Sequence, residues 1–140
     1  MKKTFVIATT EFDGQHHWPD APEVVAHLRN PHRHMFHVSV TVQVFHGDRE
    51  LEIIQLKHLV EGYFKERFPT IHPDSNTLEL GSQSCEMLAN DLLEMLEAYT
   101  DNSDDAMSVD ELLDNVGRTR SIIVKVLEDG ENGGMVHNGS

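Results

Sequence analysis

The stretch that most constrains the fold is Asn30 to Val44, NPHRHMFHVSVTVQV, where a His-x-His pair runs directly into strict alternation of apolar and polar residues. Side chains alternate between the two faces of a strand. His32, His34, Phe36, Val38, Val40, Val42 and Val44 therefore share one face, while His37, Ser39, Thr41 and Gln43 take the other. The spacing predicts a long strand from about Arg33 to Phe45 with one buried side. In extended backbone two such imidazoles stand side by side roughly 6 to 7 Å apart, close enough to converge on one ion through Zn–N bonds of roughly 2.0 to 2.1 Å. A third ligand would close the site, and His16 is the candidate. It shares an even-numbered register with Phe12 and sits just past the end of the preceding strand, where a loop can swing it inward. The chain holds ten histidines, so the competing reading is a pair of exposed imidazoles at a strand mouth.

The remainder supplies a framework for that strand. Thr4 to Asp13 is rich in β-formers and reads as the first strand, with Gly14 marking a turn. Gln15 to Asn30 reads as a long connection containing Pro19 and Pro22 with a helical turn around Glu23 to Leu28, and long loops in small domains tend to be functional. Leu56, Leu59, Val60, Tyr63, Phe64 and Phe68 follow the spacing of one buried helical face, which Pro69 ends. A second helix begins at Ser82 or Ser84 as N-cap and buries Cys85, Leu88, Ala89, Leu92, Leu96 and Tyr99. Ser108 and Glu111 form a capping box for a short extra helix near 108–116. Arg120 to Glu128 is a strand that places Ile122, Val124 and Val126 on one face with Glu128 at its end. A hairpin through Gly130, Gly133 and Gly134 then leads to a last strand at Met135 to His137.

Strand, strand, helix, helix, short helix, strand, strand is an α+β layout: a single domain over residues 1–140, with one antiparallel sheet carrying its helices on one face. Open sheet edges in so small a domain need cover, and a homo-oligomer is expected. Eleven basic against 24 acidic residues argue against binding to nucleic acid or to a membrane surface, and no apolar run approaches the length of a bilayer span. Cys85 stands alone, so any metal site rests on histidines and carboxylates and a cytoplasmic location is expected.

Four motifs in this order resemble the 6-pyruvoyltetrahydropterin synthase and 6-carboxytetrahydropterin synthase family. Phe12 and His16 match its Phe-x-x-x-His, and His32-Arg33-His34 matches its His-Gly-His with Arg for Gly. Gln83 to Ala89 is similar to its Pro-Thr-Ser-Glu-x-Leu-Ala helix start, and Val126 to Asp129 is similar to its Val-x-Glu-Thr. The resemblance covers roughly Thr4 to His137 and implies the ββααββ tunnelling fold, assembled into trimer-based or tetrameric rings with active sites between subunits. It also implies Zn²⁺ on His16, His32 and His34, and Glu128 as the acceptor that grips a pterin ring. The implied activity is a zinc-dependent lyase that converts 7,8-dihydroneopterin triphosphate with loss of triphosphate, in pterin or queuosine-precursor biosynthesis.

The departures concern proton transfer. Leu28 stands where the family carries a catalytic cysteine, and Ile71-His72 stands where it carries Asp-His. His27 and His72 are then the candidate bases, imidazole being suited to that work near neutrality. The alternative is a member that keeps the zinc and the pterin pocket but has lost or altered its catalysis because the cysteine is absent.

Overall fold

The computed structural model describes residues 2–102 and 120–139. Its strands are β1 (Thr4–His16), β2 (His32–Val44), β3 (Leu78–Gly81), β4 (Ile122–Glu128) and β5 (Asn132–His137), and its α-helices are α1 (Ile53–Arg67) and α2 (Cys85–Asn102). A short 3-10 helix, Glu23–Arg29, interrupts the first long connection. The extra helix expected near 108–116 lies outside the described residues.

The five strands form one sheet in the order β3-β1-β2-β4-β5. β1, β2, β4 and β5 are antiparallel neighbours, whereas β3 runs parallel to the end of β1. The sheet is thus mixed rather than purely antiparallel. β3 escapes a reading by periodicity because Leu-Glu-Leu-Gly offers only four residues, and it exists because the His16 end of β1 has an edge to pair.

The alternation of β2 sorts the sheet as its pattern requires. Phe36, Val38, Val40, Val42 and Val44 are all buried, joined by Ala8 from β1 and by Ile122, Val124 and Val126 from β4. α1 covers this face at β1, and α2 covers it at β4 and β5. α1 contributes Leu56, Val60 and Phe64 to the core. Its first turn is capped by the Glu52 carboxylate, which accepts from the Gln55 N–H at 2.6 Å, and it ends at Phe68 ahead of Pro69. α2 starts after Ser84, whose hydroxyl accepts from the Met87 N–H at 3.1 Å, so Ser84 rather than Ser82 is the cap. Its stripe buries Cys85, Leu88, Ala89, Leu92 and Leu96, but Tyr99 is exposed and Thr100 takes the inward position, giving its hydroxyl to the Leu96 carbonyl. Among the described residues no helix is long and apolar enough to cross a membrane.

Two expectations about glycines change. Gly14 is not at a turn; it lies inside β1, where a Cβ would sit 2.8 Å from Leu80 Cδ1 and from two ring atoms of Phe36. β1 continues past it to His16. At the other end of the site, β4 and β5 are joined by a turn whose central residues, Asp129 and Gly130, both have positive φ, 55° and 72°. The connection is three residues long, 129–131, and within it the Glu131 N–H donates to the Glu128 carbonyl at 2.9 Å, closing a β-turn with the Asp-Gly pair at its centre. Gly133 and Gly134 therefore belong to β5 rather than to the turn.

Candidate metal centre

The three histidines meet at the end of the sheet. His16, expected in a loop, is the last residue of β1 and pairs directly with His32, the first of β2, while His34 pairs with Gly14. Even-numbered positions on both strands face the core side, so register alone stacks the imidazoles. Their ring centroids lie 4.6 Å (His16–His32), 5.6 Å (His16–His34) and 5.1 Å (His32–His34) apart, and Phe36 sits edge-on beneath His16 and His34. One nitrogen from each ring lies within 4.8 Å of the others, so the three could hold a metal ion.

Their other nitrogens set the tautomer. His16 Nδ1 lies 2.8 Å from the Gln83 carbonyl oxygen and His32 Nδ1 lies 2.9 Å from that of Asn30. A carbonyl only accepts, so each Nδ1 donates and leaves an Nε2 lone pair for the site. His34 Nδ1 lies 2.7 Å from a carboxylate oxygen of Asp129, whose other oxygen accepts from the Met35 N–H at 3.0 Å. A ligating histidine whose second nitrogen is tied to a carbonyl or carboxylate is the usual outer arrangement of a metal centre. The His34 and Met35 N–H groups hold the Asp129 carboxyl below its ordinary value.

A carboxylate adjoins the buried imidazoles. Burial pushes the His16 imidazole below its usual pKa, outweighing the opposing pull of the Gln83 carbonyl and of Glu128. Its Nε2 is buried and has no hydrogen-bond partner. Glu128 stands beside it, with Oε1 at 3.1 Å from His16 Nε2 and Oε2 at 3.4 Å from His34 Nε2. The carboxylate at the end of β4 therefore abuts the histidines directly, not across a pocket from them.

A cavity of about 480 Å³ opens against His16, His32 and Glu128. Leu28 and Trp18 form one wall, held by the Trp18 N–H donating to the Leu28 carbonyl at 2.7 Å, and the start of α2 with Cys85 and Met87 forms the other. Cys85 is a core residue, as its spacing predicts, yet it also faces this cavity, with Sγ 3.9 Å from Glu128 Oε1. Burial, with the nearby carboxylate, pushes its thiol up to about 12. His27 and His72 are both exposed and neither lines the cavity, so a single chain does not bring the two candidate bases to the histidine cluster.

Arg33, between the two β2 histidines, points to the opposite face and pairs with Asp13, which also accepts from the Thr77 hydroxyl at 3.1 Å. This ties β1, β2 and the lead into β3 together beside the site. A larger groove of about 680 Å³ lies elsewhere, along odd-numbered positions of β1, β2 and β4 with Lys57 and Glu61 of α1. Its lysines are offset by Glu11 and Glu61, and it has no convergent set of lone pairs.

Sequence reasoning picked out the three histidines that the fold brings together and the Glu128 beside them, but not the residues behind them. Asp129 is legible only as half of an Asp-Gly turn, and Gln83 and Asn30 act through backbone oxygens that carry no side-chain signal. No protein-family model and no curated protein matches the chain.

Proposed function

We propose that the chain is a zinc-dependent lyase of the 6-pyruvoyl/6-carboxytetrahydropterin synthase type, acting on 7,8-dihydroneopterin triphosphate. The observation that supports this reading most is the clustering of three imidazoles, each with its Nδ1 tied from behind, beside a cavity that His16, His32 and the Glu128 carboxylate line. An all-histidine set with room beside it suits a catalytic ion with a position left for substrate oxygen. Zinc held there would polarise substrate hydroxyls and favour their ionisation.

The chain's own residues would do the rest. Glu128 offers two acceptor oxygens to the aminopyrimidine edge of a pterin, while Trp18, Leu28 and Met87 give the ring apolar walls. His27 and His72 are the proposed proton-transfer groups. Because both lie outside the cavity of their own chain, their participation needs a neighbouring subunit to carry them in, which fits the tunnelling fold and the ring assembly that the sequence resemblance implies. The half-exposed sheet face bearing Phe5, Ile7, Met35 and Met135 is available for such an assembly.

A second reading is favoured by one observation. Leu28 lines the cavity at the position where the resembling family carries its cysteine, so an apolar side chain meets the ligand there. On this reading the protein binds zinc and pterin with lost or altered chemistry.

The test is metal analysis and turnover on one preparation. The lyase reading expects about one zinc per chain, loss of that zinc in His32→Ala, and release of triphosphate from 7,8-dihydroneopterin triphosphate. Zinc and pterin binding without release would support the second reading, and absence of zinc would reject both.

A further inference from the structure

We propose that Cys85 is a positioning residue for Glu128: its thiol donates a hydrogen bond to Oε1 and holds the carboxylate in the orientation in which it meets the ring N–H groups of a ligand in the adjoining cavity. This role rests on the reading of Glu128 as the ligand's acceptor and adds the group that keeps it in place.

Three side-chain atoms stand against the half-buried carboxylate. His16 Nε2 lies 3.1 Å and Cys85 Sγ 3.9 Å from Oε1, and His34 Nε2 lies 3.4 Å from Oε2. The imidazoles have their hydrogens committed elsewhere, since His16 Nδ1 donates to the Gln83 carbonyl and His34 Nδ1 to Asp129, so in the neutral rings both Nε2 atoms are lone pairs. Among the described residues the Cys85 thiol is then the one side-chain donor to Glu128. His16 gives an independent sign that a ligand belongs here. It lines the same cavity, is only 8% exposed, and its Nε2 has no hydrogen-bond partner.

The thiol is fit to donate. Burial first, then the neighbouring carboxylate, pushes it up to about 12 against the opposing pull of the Gly134 N–H, so it keeps its hydrogen near neutrality. Packing fixes where it stands. Cys85 opens α2 and is buried, and the helix start lies close against β5 because Gly134 has no Cβ, which would come 2.9 Å from Glu86 Cγ and 3.0 Å from its backbone nitrogen. β4 delivers Glu128 to the same place through the pairing of Glu128 with Phe36 of β2. An ionised carboxylate has about four lone-pair sites, so one thiol leaves acceptor capacity on both oxygens for a ligand. A glutamate ordered in advance loses less rotamer freedom when the ligand arrives.

Infrared spectroscopy of the full chain tests the contact. Cys85 is the only cysteine in the sequence, so the S–H stretching band reports this thiol alone. The expected result is a band lowered by hydrogen bonding in wild type, raised in Glu128→Ala and intermediate in Glu128→Gln, whose neutral amide oxygen is a weaker acceptor than a carboxylate. Glu128→Gln keeps the size of the side chain, and thermal melts report whether each variant folds. Bound neopterin should raise the wild-type band, because its N–H groups compete for the same carboxylate. Calorimetric titration should show Cys85→Ala binding neopterin about 2- to 13-fold more weakly than wild type, the cost of ordering one long side chain. A band at one frequency in wild type and both Glu128 variants, or a neopterin affinity unchanged in Cys85→Ala, would overturn the proposal. Failure of wild type to bind neopterin would instead reject the pterin reading, and the band would still decide whether Cys85 holds Glu128.

Discussion

Replacing Gly14 by alanine tests the packing under the metal centre. The added Cβ would lie 2.8 Å from Leu80 Cδ1 and from two ring atoms of Phe36, and both side chains are buried, at 3% and 0% exposure. Neither neighbour can swing into solvent, so the strand or the ring must shift. Overpacking of this kind costs about 1 to 3 kcal/mol, and the lower unfolded-state entropy of alanine returns about 0.4 to 1 kcal/mol. The net loss is about 0 to 2.6 kcal/mol, with a midpoint of about 1.3 kcal/mol. An unfolding entropy of about 2.1 cal/mol/K per residue over 140 residues comes to about 0.3 kcal/mol/K, which converts that central loss into a melting midpoint about 4 °C lower, and about 9 °C lower at most. Gly62 is the matched control. It lies within α1 with nothing within 4 Å of a Cβ built on it, so Gly62→Ala should gain about 0.8 to 1.0 kcal/mol of helix propensity and raise the midpoint by about 3 °C. Gly14 is also the cross-strand partner of His34, and Phe36 is the floor beneath the histidines, so Gly14→Ala should weaken metal binding while Gly62→Ala leaves it unchanged. Differential scanning calorimetry of the metal-free proteins measures the first effect and chelator competition the second. A Gly14→Ala protein that melts above the wild-type temperature, beside a Gly62→Ala protein that behaves as expected, would refute the close packing of Phe36 and Leu80 over this glycine.

Two further outcomes follow from the residues around the ligands. Asp129→Asn retains a residue type that tolerates the positive φ of this turn but offers one acceptor to two donors, the His34 Nδ1–H and the Met35 N–H, so metal affinity should fall by about 10- to 100-fold with little change in the metal-free melting midpoint. The Arg33 pair holds the Asp13 carboxyl below its ordinary 3.8, so its contribution to stability is complete above that value and disappears as pH falls through the lower folded value. Asp13→Asn should therefore melt below wild type at pH 7 and converge with it in strong acid, and a difference that persists at the lowest pH would show that Asp13 acts by packing rather than charge.

Much of the site was legible because strand periodicity is a local property. Once His32, His34, Phe36 and the valines alternate, backbone geometry alone puts both histidines on the face that becomes the core, and the same rule places Glu128 in line with Ile122, Val124 and Val126. Helix α1 and the start of α2 were likewise dictated by apolar spacing, a capping serine and a following proline. What the chain could not declare locally is which strands meet and in what register. Whether Gly14 breaks β1 or lies within it depends on the Phe36 ring across the sheet. The four residues of β3 become a strand only beside the end of β1. The contact of Glu128 with His16 and His34 joins residues remote in sequence, and the Asp129 anchor exists because the turn after β4 brings its carboxylate back to His34. The candidate histidines were thus written in short-range pattern, whereas their tautomers, the unpartnered His16 Nε2 and the approach of Glu128 come from long-range pairing, whose energetics no single stretch of sequence contains.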